Sequence, residues 1–86
     1  MTYIFNDREP VYIQIAEHIK AVLASGEIGP GSRVPSVREL AAGFGVNPNT
    51  VQKALKELES SGYLFSKRTS GRFVTDDPDK LQELKS

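Results

Sequence analysis

The stretch that decides the fold runs from residue 36 to residue 62 and reads SVRELAAGFGVNPNTVQKALKELESSG. It contains two helix starts. Ser36 and Glu39 have the spacing of a capping box, in which the hydroxyl and the carboxylate each satisfy one free backbone N–H of the first turn. Asn47 is a preferred N-cap and Pro48 a preferred first helical residue. We therefore predict one helix from Ser36 and a second from Asn47.

Apolar residues in both segments recur at helical spacing. The stripe of the first consists of Val37, Leu40, Ala41 and Phe44, and that of the second of Val51, Ala54, Leu55 and Leu58. The first helix should end near Gly43, Gly45 allows a sharp turn, and Gly62 closes the second helix. A short helix joined by a tight glycine-containing turn to a second amphipathic helix is the helix-turn-helix arrangement.

A longer helix is predicted upstream, from Pro10 to about Ser25, with Gly26 as the left-handed residue past its end. Its apolar stripe consists of Tyr12, Ile15, Ala16, Ile19, Val22 and Leu23. Residues 26–32 are rich in glycine and proline and cannot continue a helix, so they form a tight connector.

Downstream of Gly62 the pattern becomes strand-like. Residues 63–68 and 72–75 are rich in aromatic and β-branched side chains, and Gly71 supplies a positive-φ turn position between them. The fold class is therefore mainly α with a small β-hairpin, a winged helix-turn-helix of three helices plus a two-stranded wing. In residues 76–86, Leu81 and Leu84 hint at one more short helix, which is too short to be stable alone.

The length of 86 residues allows one small domain, and the chain has no cysteine, which excludes disulfides and thiolate metal sites. The apolar runs all fall short of ~18 residues, so none predicts a membrane span. Residues 1–7 lack the basic start and apolar stretch of a signal peptide, and we expect a cytoplasmic protein.

The formal net charge is zero, but the charges are unevenly distributed. Residues 33–75 carry seven Lys or Arg against three Glu, a surplus of four positive charges, whereas residues 1–32 and 76–86 each carry a surplus of two negative charges. A basic middle can attract an anionic partner although the whole chain is neutral. A solvated surface of mixed charge is the alternative interpretation.

The polar face of the second helix of the helix-turn-helix carries the predicted base contacts. At ~100° per residue, Asn49, Lys53 and Lys56 point away from the core stripe, with Thr50 and Gln52 on its flanks. The two amides can pair bidentately with adenine, and the lysines can contact phosphate or guanine.

In a helix-turn-helix the second helix lies in the DNA major groove while the first crosses the backbone, which puts Arg38 near phosphates. Basic residues flank the hairpin tip, where they could reach the adjacent groove or phosphates; these are Lys67, Arg68 and Arg72.

An enzyme is not expected, because His18 is the only histidine and neither paired carboxylates nor a glycine-rich phosphate loop stand out. His18 lies beside the first apolar stripe and is predicted to be a surface or partly buried side chain. No clustered ligands predict a metal site or a cofactor.

The ordered motifs resemble the winged helix-turn-helix domain of GntR-family bacterial transcription regulators, with a run typical of its YtrA-like branch. They are IGPG at 28–31, VPSVRELA at 34–41, FGVNPNTV at 44–51, KAL at 53–55, LESSGYL at 58–64 and GRFV at 71–74. The resemblance covers about residues 10–75, with the motifs in one ungapped order. The family's sites fall on Arg38, on Asn47 to Thr50 with Gln52, and on the wing from Arg68 to Arg72. With the polar face of the second helix added, the predicted DNA-binding residues are Ser36, Arg38, Asn47, Asn49, Thr50, Gln52, Lys53, Lys56, Arg68, Ser70, Gly71 and Arg72.

The sequence also departs from the family pattern. Many members have Arg where this chain has Pro48 and Gln52, so their base preferences do not transfer. Their wing tip often carries two glycines, whereas here Thr69 replaces the first.

The resemblance implies a cytoplasmic homodimer that represses transcription by binding a pseudo-palindromic double-stranded DNA operator. Residues 1–75 would be the DNA-binding domain, and residues 76–86 a linker or the truncated start of a dimerisation or effector segment. Any effector would bind outside this chain. A winged-helix module for protein interactions, without specific DNA binding, is the alternative, since a fold does not fix a function.

Overall fold

A computed structural model describes residues 4–86; residues 1–3, which the sequence assigned to the DNA-binding domain, lie outside this range. Within residues 4–86 the chain forms four helices and one two-stranded antiparallel sheet. In chain order these are α1 (Val11–Ser25), α2 (Val37–Phe44), α3 (Pro48–Ser60), β1 (Leu64–Lys67), β2 (Gly71–Val74) and α4 (Pro78–Lys85).

The core lies where α1 and α2 pack against α3 and the base of the hairpin closes over α3. Its buried apolar residues are Ile15, Ala16, Ile19, Leu23, Val34, Ala41, Val51, Ala54, Leu55, Leu58, Leu64 and Val74. The predicted stripe of α3 is buried completely, while Tyr12 and Val22 at the margins of the α1 stripe are only half-buried. Helical periodicity therefore identified the faces that meet in the core.

The helices begin at or within one residue of the positions that the capping residues predicted. Ser36 Oγ accepts from Glu39 N at 3.1 Å, and Glu39 Oε1 accepts from Ser36 N at 3.2 Å, which completes the capping box. Asn47 caps α3, with Pro48 as its first residue. Two boundaries differ by one residue: α2 continues to Phe44, and Pro10 is the N-cap of α1 rather than its first residue. A proline suits that position too, because its missing N–H has no partner at a helix start.

Gln14 ties the segment before α1 to the helix. Its Nε2 donates to Asn6 O and to Glu9 O, each at 2.9 Å, and its Oε1 accepts from Asn6 N at 3.0 Å. A buried amide normally has such partners, because an unsatisfied polar group in the interior destabilises the fold. The contact fixes the chain that leads into α1.

The hairpin pairs Leu64 with Val74 at its base and Lys67 with Gly71 at its tip. β1 is shorter than predicted, because residues 63 and 68 lie outside it, and β2 is shifted by one residue, since it begins at Gly71 and ends before residue 75. Residues 32–34 pair with the other edge of β2: Val34 N donates to Arg72 O and Val74 N donates to Ser32 O, both at 2.9 Å. The hairpin, called the wing below, is thus anchored at its base by the segment that precedes α2.

The fold class is confirmed, and the short helix hinted at by Leu81 and Leu84 forms as α4, in addition to the three helices of the predicted winged helix-turn-helix. Asp77 caps α4, and Leu81 and Leu84 pack against the core where α4 contacts α1. Tyr63 Oη donates to Glu83 Oε1 at 3.4 Å. These tertiary contacts supply the stability that the short segment lacks by itself. None of the helices in residues 4–86 has the length and apolar character needed to cross a membrane.

Candidate nucleic-acid interface

The turn between α2 and α3 sets the direction of α3. Gly45 has φ +71°, a conformation that glycine adopts without the steric cost of a Cβ. The amides of Gly45 and Val46 both donate to Ala41 O, at 2.9 and 3.1 Å. Asn47 Oδ1 then accepts from Asn49 N at 2.8 Å. This chain of local hydrogen bonds fixes the start of α3 relative to α2, as a helix-turn-helix requires.

The solvent face of α3 carries the side chains that the sequence predicted. Asn49, Lys53 and Lys56 are exposed, and Thr50 and Gln52 are half-buried on its flanks. The opposite face is anchored by fully buried residues such as Val51, which is 0% exposed. The start of α3 thus offers amide, hydroxyl and ammonium groups on a rigid support.

Lys53 is held by an aromatic ring from another helix. Its Nζ lies 4.2 Å from the ring centroid of Tyr12 in α1, within the range of a cation–π interaction. Tyr12, Asn49, Thr50 and Lys53 line one shallow depression together with Val11. The sequence assigned Tyr12 to the apolar stripe of α1 only. Its contact with Lys53 joins residues distant in sequence, so no local pattern could have indicated it.

The N-terminus of α2 lies on the same helix-turn-helix unit and exposes Arg38. Within residues 4–86 its guanidinium has no carboxylate at ion-pair distance. Ser36 is exposed too, but its hydroxyl is used in the capping box. The backbone and hydroxyl hydrogen bonds from Ser36 hold the pKa of the Glu39 carboxyl below its usual value, and the nearby Arg33 adds to this effect.

The tip of the wing is exposed at Arg68 and Ser70, and Ser70 N donates to Lys67 O at 3.1 Å to close the turn. Gly71 has φ +102°, which confirms the predicted positive-φ position. Most other residue types would be strained there. The tip therefore presents a cation and a hydroxyl on a tight turn.

Arg72 differs from the other predicted contacts. Its Nε donates to Glu59 Oε1 of α3, and the two side chains are only 18% and 29% exposed. Ser66 and Arg72 are register partners, so Arg72 points to the face of the wing that covers α3. The side chain joins the wing to α3 instead of extending towards the tip.

Two further basic residues lie in or beside the wing: Arg33, which was not predicted to contact DNA, and Lys67, which was predicted only as a basic flank of the hairpin tip. Arg33 forms a β-bridge with Phe73 on the free edge of β2, and its guanidinium lies against Gly71. Lys67 Nζ lies 4.7 Å from the Phe73 ring centroid. The sequence counted both among its basic residues but gave no sign that the connector before α2 reaches the sheet.

The rest of residues 4–86 offers little chemistry of other kinds. No group of three or more His, Asp or Glu side chains there could hold a metal ion. His18 is half-buried, as predicted, and contacts the Phe44 ring edge-on at 5.4 Å between centroids. The convergent polar and basic groups of α2, α3 and the wing are therefore the candidate site.

Comparison with known proteins gives the same assignment. The family described as "Bacterial regulatory proteins, gntR family" matches residues 11–74. The chain is 40% identical over 81 residues to the HTH-type transcriptional regulator YhcF of Bacillus subtilis, covering 94% of this chain and 67% of that protein. It is 43% identical over 67 residues to the HTH-type transcriptional repressor YtrA of the same organism, covering 78% of this chain but about half (52%) of that protein.

Solved structures match as well. A GntR family transcriptional regulator from Listeria monocytogenes superposes with a TM-score of 0.88 at 36% identity, over 93% of this chain and 70% of that one. AraR(DBD) in complex with operator ORX1 superposes with a TM-score of 0.78 at 32% identity, over 87% and 95% of the two chains. On the evidence of its motifs, its fold and these matches, the chain belongs to the GntR family of bacterial regulatory proteins.

Proposed function

We propose that this chain is the sequence-specific double-stranded DNA-binding domain of a bacterial transcription regulator, and that it acts as a repressor. The observation that carries the proposal is the exposed start of α3, where Asn49, Thr50, Gln52 and Lys53 lie on a helix fixed by its cap and by its buried face. Amide side chains on such a helix can read base edges in the major groove. AraR(DBD), which shares the fold at 32% identity, is solved in complex with operator DNA.

Charged groups around α3 support a backbone-binding role. Arg38, Lys53 and Lys56 are exposed on the helix-turn-helix, and Arg68 is exposed at the tip of the wing. Contacts of this kind position a protein on the duplex without reading its sequence. In this proposal Arg38 and the lysines bind phosphates, while Asn49 and Gln52 read bases. The role of Arg72 is to hold the wing against α3 through its ion pair with Glu59.

We also propose that the intact regulator is a cytoplasmic homodimer and binds a pseudo-palindromic operator. Two-fold symmetric proteins bind half-sites about one helical turn apart. Residues up to 75 would form the DNA-binding unit, and residues 76–86 would lead into a dimerisation or effector segment, where any effector binds. YtrA, of which the chain covers 52%, and NagR, of which it covers 27%, are both named transcriptional repressors.

The experiment is a titration of the chain against labelled duplex DNA at two salt concentrations, followed by sequencing of DNA selected from a random pool. Phosphate contacts release counterions, so the affinity must fall steeply as the salt concentration rises. Selection of one recurrent half-site supports the base-reading role, and its spacing reports the dimer. Binding that is absent or independent of salt would contradict the proposal and favour a protein-interaction module.

A further inference from the structure

On the outer face of the wing two positively charged side chains, Arg33 and Lys67, lie beside Gly71. Lys67 and Gly71 are register partners, so the Lys67 side chain and the open side of Gly71 lie on the same face of the sheet. Arg33 approaches this glycine from the other edge of β2, where it bridges to Phe73. A Cβ added at Gly71 would lie 3.2 Å from Arg33 Nε and 3.5 Å from Nη2. The missing side chain is what leaves room for the guanidinium.

Aromatic rings form the floor of this face. Phe65 and Phe73 are register partners with centroids 5.9 Å apart, and Phe65 is 39% exposed. Lys67 Nζ leans over the Phe73 ring at 4.7 Å from its centroid. Because Arg33 is the bridge partner of that same Phe73, its side chain lies on the same face of the sheet as that of Lys67, on the other side of β2.

These cations lack neutralising partners on the protein. Within residues 4–86 neither Arg33 nor Lys67 has a carboxylate at ion-pair distance. Glu39 interacts electrostatically with Arg33, but its Oε1 is already an acceptor for Ser36 N at 3.2 Å. Two positive charges on one face repel each other, and an anion bound between them removes that repulsion. The face therefore suits a compact, strongly charged anion.

We propose that Arg33 and Lys67 form a two-cation site on the outer face of the wing that binds one phosphate of the DNA backbone. The inference rests on the proposed function and extends it, because the DNA contact of the wing then includes the connector before α2 as well as the hairpin tip. Arg33 supplies the planar, multidentate donor that phosphate geometry favours, and Lys67 supplies a point charge. The guanidinium of Arg72 is engaged in the ion pair with Glu59, so Arg33 is the arginine of the sheet that is available to bind a phosphate.

The test compares Arg33→Ala, Lys67→Ala and the double variant with the unchanged chain. Each is titrated with a labelled duplex of mixed sequence over a series of salt concentrations. The slope of log Kobs against log salt measures the phosphates neutralised, at about 0.9 per phosphate. Because the site binds one phosphate, the double variant should flatten the slope by about one unit in total. At ~0.1 M salt this corresponds to roughly a tenfold loss of affinity.

Charge-matched variants separate this site from a general effect of charge. Lys85→Ala removes one exposed cation from α4 and should leave the slope unchanged. Arg33→Lys and Lys67→Arg keep the charge and should retain most of the affinity. The base preference selected from a random pool should be the same in all variants, because phosphate contacts carry no sequence information. Thermal unfolding checks that each variant is folded, as expected for exposed side chains.

Three outcomes would overturn the inference. The first is a slope equal to that of the unchanged chain in the double variant. The second is flattening by about two units, which would mean two separate phosphates. The third is an equal loss in Lys85→Ala. If the unchanged chain itself fails to bind with a salt-dependent affinity, it is the proposed function that fails.

Discussion

At the scale of single residues, side chains of the same surface have different tasks because their chemistry differs. An amide at the start of α3 offers a donor and an acceptor in one plane, which fits adenine, whereas an ammonium offers charge without direction. In the proposed function Asn49 and Gln52 read bases through their amides, and Arg38 and Lys53 neutralise phosphates through their charge.

We expect Asn49→Ala and Gln52→Ala to relax base preference at particular positions, at a cost of ~1–3 kcal/mol for each contact. Sequencing of DNA selected by each variant measures this directly. Arg38→Ala and Lys53→Ala should weaken binding to all sequences alike and leave the selected motif unchanged. Val51→Asp, which places a charge at a position 0% exposed, should unfold the chain and serves as the control for lost stability. An unchanged motif from the Asn49 and Gln52 variants would refute their assignment as base contacts.

At the scale of elements, the capping box at α2 makes stability depend on pH. The pKa of Glu39 is lowered in the folded chain from an ordinary value of 4.5, mainly by hydrogen bonds from Ser36. The ionised carboxylate therefore stabilises the fold above that ordinary value, and this contribution is lost as the pH falls through the lowered pKa. We expect Glu39→Ala to show a weaker loss of melting temperature on acidification than the unchanged chain.

Ser36→Ala removes the other half of the box and should lower the free energy of unfolding by about 1 kcal/mol at neutral pH. Chemical denaturation of the two variants, compared at neutral and acidic pH, checks both expectations. If Glu39→Ala and the unchanged chain lose stability equally on acidification, other carboxylates are responsible for the pH dependence of the free energy of unfolding.

The fourth helix gives a further prediction at this scale. α4 depends on its packing against α1, with Leu81 and Leu84 half-buried and Tyr63 Oη bound to Glu83. We expect Leu84→Asp to melt α4 while α3 stays folded, because the charge cannot be accommodated in that contact. Amide hydrogen exchange should lose protection over residues 78–85 only. The control is Gln82→Ala, an exposed position of the same helix, and loss of protection in α3 would mean that α4 is part of the main cooperative unit.

The elements that were predictable from sequence are those whose signals are local. Ser36 with Glu39, and Asn47 with Pro48, satisfy hydrogen bonds within one helical turn, so spacing alone indicates them. The docking of α4 depends on its contacts with α1, and the pairing of Arg72 with Glu59 depends on how the wing folds over α3. Such contacts join distant parts of the chain. Single-sequence patterns do not encode them, which is why the docking of α4 and the environment of Arg72 had to come from the structure.

At the scale of the whole molecule, the distribution of charge matters more than its sum. Residues 33–75, which contain α2, α3 and the wing, carry a surplus of four positive charges. Residues 76–86, which contain α4, carry a surplus of two negative charges. The net charge of zero limits attraction to DNA in general without removing the basic surface. A single unit with this modest surplus is expected to bind weakly and to depend on a dimer.

We expect neutralisation of Asp76, Asp77 and Asp79 to tighten non-specific DNA binding by a few-fold at low salt, with the gain fading as salt rises. Asn is the right substitution, because Asp77 Oδ1 caps α4 by accepting from Asp79 N at 2.9 Å and an Asn side chain can do the same. Titration with a mixed-sequence duplex measures the effect, and helical content by circular dichroism verifies that α4 persists. Unchanged affinity at low salt would show that the acidic end has no influence on DNA.

The anchoring of the wing has a consequence for how such a domain can diversify. Hydrogen bonds from residues 32–34 fasten β2 at Arg72 and Val74, whereas residues 68–70 make only the tight turn at the far end. Exposed turns of this kind tolerate insertion and substitution better than paired strands do. Insertions or substitutions in residues 68–70 therefore offer related regulators a route to new operator preferences. The length and chemistry of the wing tip can change while the core that carries α3 stays the same.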